Sequence, residues 1–141
     1  TRLASFFAAR MDVPAGWAFD AVVPVPLHPL KKWLRTYNQS ELIARALCDR
    51  TGFTMEPSLL RRTRYTETQT HLNAAGRESN MRGAFAASPG VRGRSVLLID
   101  DVTTTHSTLI ACAAALKRAG ANRVCALCIC SAEKNLTKDN A

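Results

Sequence analysis

Two adjacent carboxylates stand between an aliphatic run and a run of hydroxyl-bearing residues in the stretch VLLIDDVTTTHST, residues 96–108. An unbroken apolar run is typical of a β-strand that is covered on both faces, so Asp100 and Asp101 stand where such a strand would end. The hydroxyls precede the next predicted helix, and the unpaired N–H groups and the dipole of a helix N-terminus favour a phosphate. The residue types therefore predict an anion-binding loop beside an acidic pair.

Carboxylates and a phosphate repel each other, so the two halves of this stretch must address different parts of one ligand. Hydroxyl groups, together with a Mg²⁺, would face Asp100 and Asp101, and a phosphate would lie one sugar away in the loop. A ribose 5-phosphate has that layout. The alternative is that the aspartates only end a strand while a Thr or Ser caps the following helix.

The elements that would position these residues alternate along the chain. Asn38 and Glu41 have the spacing of a capping box at the start of a helix, and Gly52 and Gly120 are of the type that ends helices. Strands are predicted at 20–26, 59–64, 94–101 and 123–130, and helices at 1–11, 38–52, 76–84 and 109–118.

The predicted strand, helix and strand over 94–130 form a βαβ unit, in which the two strands run parallel. The whole alternation predicts a single α/β domain over residues 1–141, with a mostly parallel open sheet and helices on both faces. Ligands bind such sheets beyond the carboxyl ends of the strands, which is where the acidic pair stands. The polar stretch 65–77 has no clear period and predicts a mobile loop.

Composition restricts the class of protein. The chain has 141 residues and a net charge of +8, so it should attract nucleic acid, phosphorylated metabolites or an acidic membrane. No apolar run approaches the roughly 20 residues of a membrane span, and we expect a cytoplasmic protein without membrane insertion. Five cysteines argue against a secreted disulfide framework. Cys125, Cys128 and Cys130 lie in an apolar run without a second cysteine pair, which favours buried structural thiols over a metal site.

The stretch VLLIDDVTTTHST resembles the phosphoribosyl pyrophosphate (PRPP) signature of type I phosphoribosyltransferases, which joins a hydrophobic strand, two acids and a Thr-Thr-Gly-x-Thr phosphate loop. Three further stretches, VVPVPLHPLKKWLRTYNQSELIARAL, LLRRTRYTETQTHLNAAGRESNMRGAF and VRGRSVLLIDD, are similar, in order, to the phosphoribosyltransferase domain of the competence-associated ComF family. Members of that family usually carry a cysteine-rich zinc-binding module ahead of this domain. Nothing here matches that module, so we expect an excised domain or a lost module, with residues 1–19 as an N-terminal helix or hood remnant.

The resemblance implies a role for each part of the site. Asp100 and Asp101 would hold the ribose hydroxyls and the associated Mg²⁺ and would be catalytic together with Arg64, and 65–77 would be the catalytic loop that excludes water. The 5-phosphate loop would comprise Thr104, Thr105, His106, Ser107 and Thr108, and the pyrophosphate-binding residues would be Lys31, Lys32, Arg35, Arg61 and Arg62. For each basic residue taken singly, a solvated surface charge is the alternative.

The implied reaction displaces pyrophosphate from the anomeric carbon by a nitrogen nucleophile, so that catalysis is mainly positioning and charge stabilisation. Two features depart from the family pattern. His106 stands where the signature has Gly, a residue used where the backbone approaches a phosphate closely or takes an unusual dihedral. We therefore expect weaker PRPP binding than a glycine version would show. The loop also lacks the carboxylate that takes a proton from the incoming nucleobase in some relatives.

Three classes of function follow from these observations. The first is a PRPP-dependent transferase whose acceptor the sequence does not name. The second is a non-catalytic adaptor that keeps the phosphate site and serves the DNA-uptake machinery. The third, a nucleic-acid-binding domain, rests on charge alone, because no helix-turn-helix, zinc-finger or RNP pattern is present. A homodimer is left open in each case.

Overall fold

A computed structural model describes residues 2–27, 37–64, 81, 83–103 and 106–131. Its helices and strands are, in chain order, α1 (Arg2–Ala8), β1 (Ala21–Pro24), α2 (Gln39–Thr51), β2 (Leu60–Arg62), β3 (Phe85–Ala87), β4 (Ser95–Thr103), α3 (Ser107–Arg118) and β5 (Arg123–Ser131). Two short 3₁₀ turns precede β2 and β4, at Pro57–Leu59 and Pro89–Val91.

The main sheet consists of β1, β4 and β5, with β4 in the middle. Both pairings are parallel, and in the register Leu97 lies between Val22 on one side and Cys125 on the other. The carboxyl ends of β1 and β4 therefore meet at the same edge of the sheet. This arrangement confirms the parallel sheet predicted from the apolar run that precedes Asp100.

Side chains along β1 and β4 alternate between two apolar clusters, because successive residues of a strand point to opposite faces. The fully buried members on the α1 and α2 side are Val22, Leu97 and Ile99, and those on the α3 side are Ala21, Val23, Val96 and Leu98. Burying each large aliphatic side chain stabilises the fold by about 1.5–3 kcal/mol. The predicted helices on both faces of the sheet are confirmed.

The ends of α2 agree with the sequence at one terminus and differ at the other. Gly52 has φ 76°, which makes it the left-handed C-cap expected of a glycine at this position. The capping box predicted from Asn38 and Glu41 is wrong, because the Asn38 side chain makes no cap hydrogen bond and donates instead to the Val25 carbonyl at 3.0 Å. Glu41 pairs with Arg45 on the next turn of the helix, at 3.6 Å.

A second, smaller sheet pairs β2 with β3 in antiparallel fashion, with Leu60 opposite Ala87. β2 lies within the strand predicted at 59–64. β3 was not predicted, because its three residues, Phe-Ala-Ala, are too few to show a period. The mobile loop predicted at 65–77, and most of the helix predicted at 76–84, lie outside the described residues.

β5 is less buried than its sequence predicts. Within the described residues it pairs with β4 alone, and its side chains from Val124 to Ile129 are half-buried or exposed. Cys125 and Cys128 are accordingly half-buried rather than buried, whereas Cys48 and Cys112 lie in the core. No group of three or more His, Cys, Asp or Glu in the described part of the chain could hold a metal ion. None of the described helices is long and apolar enough to span a membrane.

Candidate functional site

The two carboxylates lie side by side at the carboxyl end of β4. Asp100 is only 7% exposed, and its Oδ1 accepts hydrogen bonds from the Ser40 hydroxyl at 3.1 Å and from the Asp101 N–H at 3.0 Å. Oδ1 of the half-buried Asp101 accepts the N–H of Val102 at 2.8 Å. No cation among the described residues forms an ion pair with either carboxylate. Within the described part of the chain, neutral donors therefore orient the acidic pair.

The environment of Asp100 disfavours its ionised form. The pKa of this carboxyl is raised from 3.8 to about 6, mainly by burial and also by the neighbouring Asp101 carboxyl. The hydrogen bonds from the Asp101 N–H and from the Ser40 hydroxyl act in the opposite direction and lower the pKa. In the protein alone, an ionised Asp100 is thus an unfavourable charge that a cation or hydroxyl donors would stabilise.

Both carboxylates line a pocket of about 620 Å³ at the edge of the sheet where β1 and β4 end and where α2 and α3 begin. Its volume lies within the range of roughly 300–1,000 Å³ that is usual for small-molecule sites. The lining residues are Val25, Pro26, Leu27, Tyr37, Asn38, Gln39, Ser40, Arg62, Asp100, Asp101, Val102 and Thr108. The pocket has the position expected of a ligand site in an open α/β sheet.

The N-cap of α3 is His106, which has φ 56° and ψ 1°. It is the single non-glycine residue with a positive φ among those described. An unusual dihedral is expected here from the sequence, because the signature has Gly at this position, and the positive φ confirms it. A non-glycine side chain in this left-handed region costs about 1 kcal/mol or more. The His106 side chain makes no cap hydrogen bond. The alternative interpretation, in which a Thr or Ser caps this helix, therefore does not describe its N-terminus.

The structure places only part of the predicted phosphate loop at the pocket. Thr108, in the first turn of α3, contributes to the lining, whereas the exposed His106 and the half-buried Ser107 do not. Thr104 and Thr105 lie outside the described residues. One member of the predicted loop is therefore brought next to the acidic pair.

The arginines predicted to belong to the site differ in which cavity they line. Arg62 lines the main pocket, with its guanidinium carbon 5.4 Å from the centroid of the Phe85 ring on β3. Arg61 is exposed and lines a neighbouring cavity of about 260 Å³, which Arg62 also borders. Arg64 is exposed after β2 and lines neither cavity. Lys31, Lys32 and Arg35 lie outside the described residues, so Arg62 is the predicted pyrophosphate ligand that the structure brings to the acidic pair.

Two polar residues at the start of α2 were not predicted to belong to the site. Asn38 and Ser40 line the pocket and are buried, with Ser40 only 3% exposed. Sequence reasoning assigned Asn38 to capping and gave Ser40 no role. The topology offered a signal, because the helix that follows a parallel strand begins at the same edge of the sheet as the strand's carboxyl end.

The acidic pair has the composition of a Mg²⁺ site. Mg²⁺ in proteins is usually held by one or two carboxylates and keeps water and substrate oxygens as its other ligands. Asp100 and Asp101 supply two adjacent carboxylates, and the pocket beside them has room for those further ligands. These two residues are thus the described side chains that could hold such an ion, together with oxygens of a substrate.

Most of the chain is similar to known proteins. Residues 33–141 match the model of the phosphoribosyl transferase domain. DNA utilization protein YhgH of Salmonella typhi is 38% identical over 111 residues, which are 79% of this chain and 49% of that protein. Competence protein F of Haemophilus influenzae is 32% identical over 108 residues, 74% of this chain and 47% of that protein. The chain thus spans about half the length of the curated relatives that it matches.

Solved structures give the same fold. The allosteric regulatory enzyme of purine biosynthesis matches over 90% of this chain and 24% of its own, with a TM-score of 0.58 and 25% identity. The purine phosphoribosyltransferase of Pyrococcus horikoshii matches over 92% of this chain and 71% of its own, with a TM-score of 0.53 and 14% identity. The second likeness is one of fold alone. The architecture is that of the type I phosphoribosyltransferases.

Proposed function

Because this chain belongs to the phosphoribosyl transferase domain family, and within it to the competence-associated ComF family, we propose that it binds PRPP with Mg²⁺ and transfers the phosphoribosyl group to a nitrogen nucleophile. Pyrophosphate is the leaving group. The matched part of the chain, residues 33–141, includes the acidic pair, α2 and α3.

One observation carries this proposal. Asp100 and Asp101 share a pocket of about 620 Å³ with Thr108 of α3 and Arg62 of β2. Carboxylates suit the hydroxyls of a pentose, the start of a helix suits its phosphate, and a guanidinium suits pyrophosphate oxygens. A ligand that carries all three groups on one sugar matches this combination better than a simple phosphate or a simple sugar does.

The residues of this chain would act mainly by positioning. The acidic pair would orient the ribose and, with the loop at 104–108 on its 5-phosphate, fix the anomeric carbon relative to the nucleophile. Mg²⁺ held by Asp100 and Asp101 would supply positive charge to the pyrophosphate as it leaves. Arg62 would add a guanidinium on the same group, together with the predicted ligands Lys31, Lys32 and Arg35. The nitrogen lone pair forms the new bond to the anomeric carbon while the carbon–oxygen bond to pyrophosphate breaks.

Two measurements test the proposal. Calorimetric titration of PRPP with and without Mg²⁺ should show binding that depends on the ion, and pyrophosphate release should be detected with at least one acceptor in a panel of nucleobases and amines. Asp101→Asn should lower the release rate by a factor on the order of 100, while the overall fold, monitored by circular dichroism, stays unchanged. Absence of PRPP binding by the wild type would refute the proposal.

The second candidate is a non-catalytic adaptor in DNA uptake that binds PRPP or a nucleotide. It is favoured by the relatives named DNA utilization protein and Competence protein F, and by the strained His106 in the phosphate loop. The pyrophosphate-release assay distinguishes the two candidates. An adaptor would bind PRPP and release no pyrophosphate with any acceptor, and Asp101→Asn would then change affinity alone.

A further inference from the structure

Ser40 connects α2 directly to the end of β4. Its hydroxyl lies 3.1 Å from Oδ1 of Asp100, although the two residues are 60 positions apart in the sequence. Both side chains are buried, with exposed fractions of 3% and 7%, and both line the main pocket. The hydrogen bond therefore joins two elements of the fold at the site itself.

A second buried hydrogen bond holds the start of α2. Asn38 would ordinarily cap the helix with its side chain, but it donates instead to the carbonyl of Val25, just beyond β1, at 3.0 Å. This buried bond fastens the first turn of α2 to β1, and the bond from Ser40 fastens it to β4. Both neighbouring strands thus hold the helix in register with the pocket.

The two donors on Asp100 restrict its carboxylate. Oδ1 accepts from the Ser40 hydroxyl on α2 and from the Asp101 N–H on β4, so the donors come from two different elements. A carboxylate held at one oxygen by two donors has little freedom to rotate about its last side-chain bond, and its second oxygen takes a defined direction. Without Ser40, the donor to Oδ1 that remains among the described residues is the Asp101 N–H.

We propose that Ser40 is a positioning residue, which holds the Asp100 carboxylate in the orientation that the ribose hydroxyls and Mg²⁺ require. The assignment rests on the proposed PRPP-binding function. Hydrogen-bond partners of metal-binding carboxylates influence affinity strongly, and their loss typically weakens metal affinity or activity by about 10-fold to 100-fold. A buried hydroxyl that served packing alone would have no such effect on the ligand.

The test is a calorimetric titration of PRPP in the presence of Mg²⁺ into the wild type and Ser40→Ala. We expect binding to weaken roughly 10-fold or more in Ser40→Ala. Thr51→Ala is the matched control, because it removes a hydroxyl that donates to the Leu47 carbonyl at 2.8 Å at the far end of the same helix. Its PRPP affinity should equal that of the wild type.

Two further comparisons separate positioning from a general effect on α2. Ser40→Ala should add less than twofold to the loss in an Asp100→Ala background, because its target would be absent there. If Ser40→Ala does not fold, Ser40→Thr and Ser40→Val replace it, since these side chains have similar shapes and differ in the hydroxyl. Thr should then bind PRPP roughly 10-fold more tightly than Val.

The outcomes are distinct. Unchanged PRPP affinity in Ser40→Ala, equal affinity in the Thr and Val variants, or an equal loss with and without Asp100 would overturn the role of Ser40 and leave PRPP binding intact. A wild type that binds no PRPP would overturn the proposed function, and the role of Ser40 with it.

Discussion

The substitution Asp100→Asn should stabilise the protein at neutral pH when metal and ligand are absent. The pKa of this buried carboxyl lies about two pH units above its ordinary value, at about 6 against 3.8. The folded protein therefore keeps the proton of Asp100 to higher pH than the unfolded chain does, and the contribution of Asp100 to stability falls as the pH rises from about 4 to 6. At 1.36 kcal/mol per pH unit, the ionised group destabilises the fold by an amount on the order of 3 kcal/mol above pH 6.

An asparagine removes this destabilisation without removing the hydrogen bonds. Its Oδ1 still accepts from Ser40 and from the N–H of Asp101, and its NH₂ group replaces the second carboxylate oxygen beside the Asp101 carboxyl. For a chain of this size, a gain on the order of 3 kcal/mol raises the melting temperature by up to roughly 10 °C at pH 7.5. Below pH 4 the wild type is protonated at this position, and the two proteins should melt at similar temperatures.

The assay is calorimetric unfolding from pH 3.5 to 8 in buffers that contain a chelator. Asp49→Asn is the control, because it makes the same chemical change at an exposed position on α2 and should leave the pH profile unchanged. A variant that melts below the wild type at pH 7.5, or that keeps the loss of stability between pH 4 and 6, would refute the reasoning. Either result would mean that Asp100 is not an uncompensated buried charge.

Three further predictions concern individual residues. His106→Gly should raise the free energy of unfolding in urea by about 1 kcal/mol, since it relieves the strain of the left-handed dihedral. The same substitution should tighten PRPP binding. Unchanged or poorer binding would contradict the link between strain and affinity. Gly52→Ala should lower the free energy of unfolding by about 1 kcal/mol, because φ is 76° and no atom lies within 4 Å of the added methyl; a neutral result would argue against the left-handed cap. Burial raises the pKa of Cys48 to about 11 and raises that of Cys112, so neither thiol should react with a disulfide reagent at pH 8 before unfolding; mass spectrometry of the labelled protein would reveal a reaction with either.

The parts of the fold that the sequence predicts are those with a long period or an unbroken apolar run. β4 and α3 are examples, because nine strand residues and twelve helix residues show their patterns clearly. β3 could not be predicted, because a strand of three residues shows no sequence pattern and is defined by its pairing with β2. The burial of β5 is overestimated for a related reason, since an apolar sequence does not reveal whether a strand has one neighbour or two.

The site divides in a similar way. The position of Asp100 and Asp101 at the end of a strand could be predicted from the apolar run before them, and the unusual dihedral at His106 could be predicted from the resemblance to a signature that has Gly there. The hydrogen bond from Ser40 to Asp100 could not be predicted, because the two residues lie 60 positions apart and only the tertiary fold brings the hydroxyl to the carboxylate. The capping box was predicted wrongly for the same reason. The Asn38 side chain donates to the carbonyl of Val25, which is distant in sequence, instead of capping its own helix.

Locally unfavourable features collect at a single edge of this fold. The buried carboxyl of Asp100 has a raised pKa, and His106 takes a left-handed dihedral, whereas the middle of β4 is fully buried aliphatic residues. Such departures from stability rules concentrate at functional sites. A ligand that binds the folded state raises stability in proportion to RT ln(1 + [L]/Kd), and a Mg²⁺-bound anion would do so by stabilising the charge that destabilises the empty protein. Asp100→Asn should therefore raise the melting temperature of the protein without ligand. It should also reduce the further increase in melting temperature that PRPP and Mg²⁺ produce in the wild type.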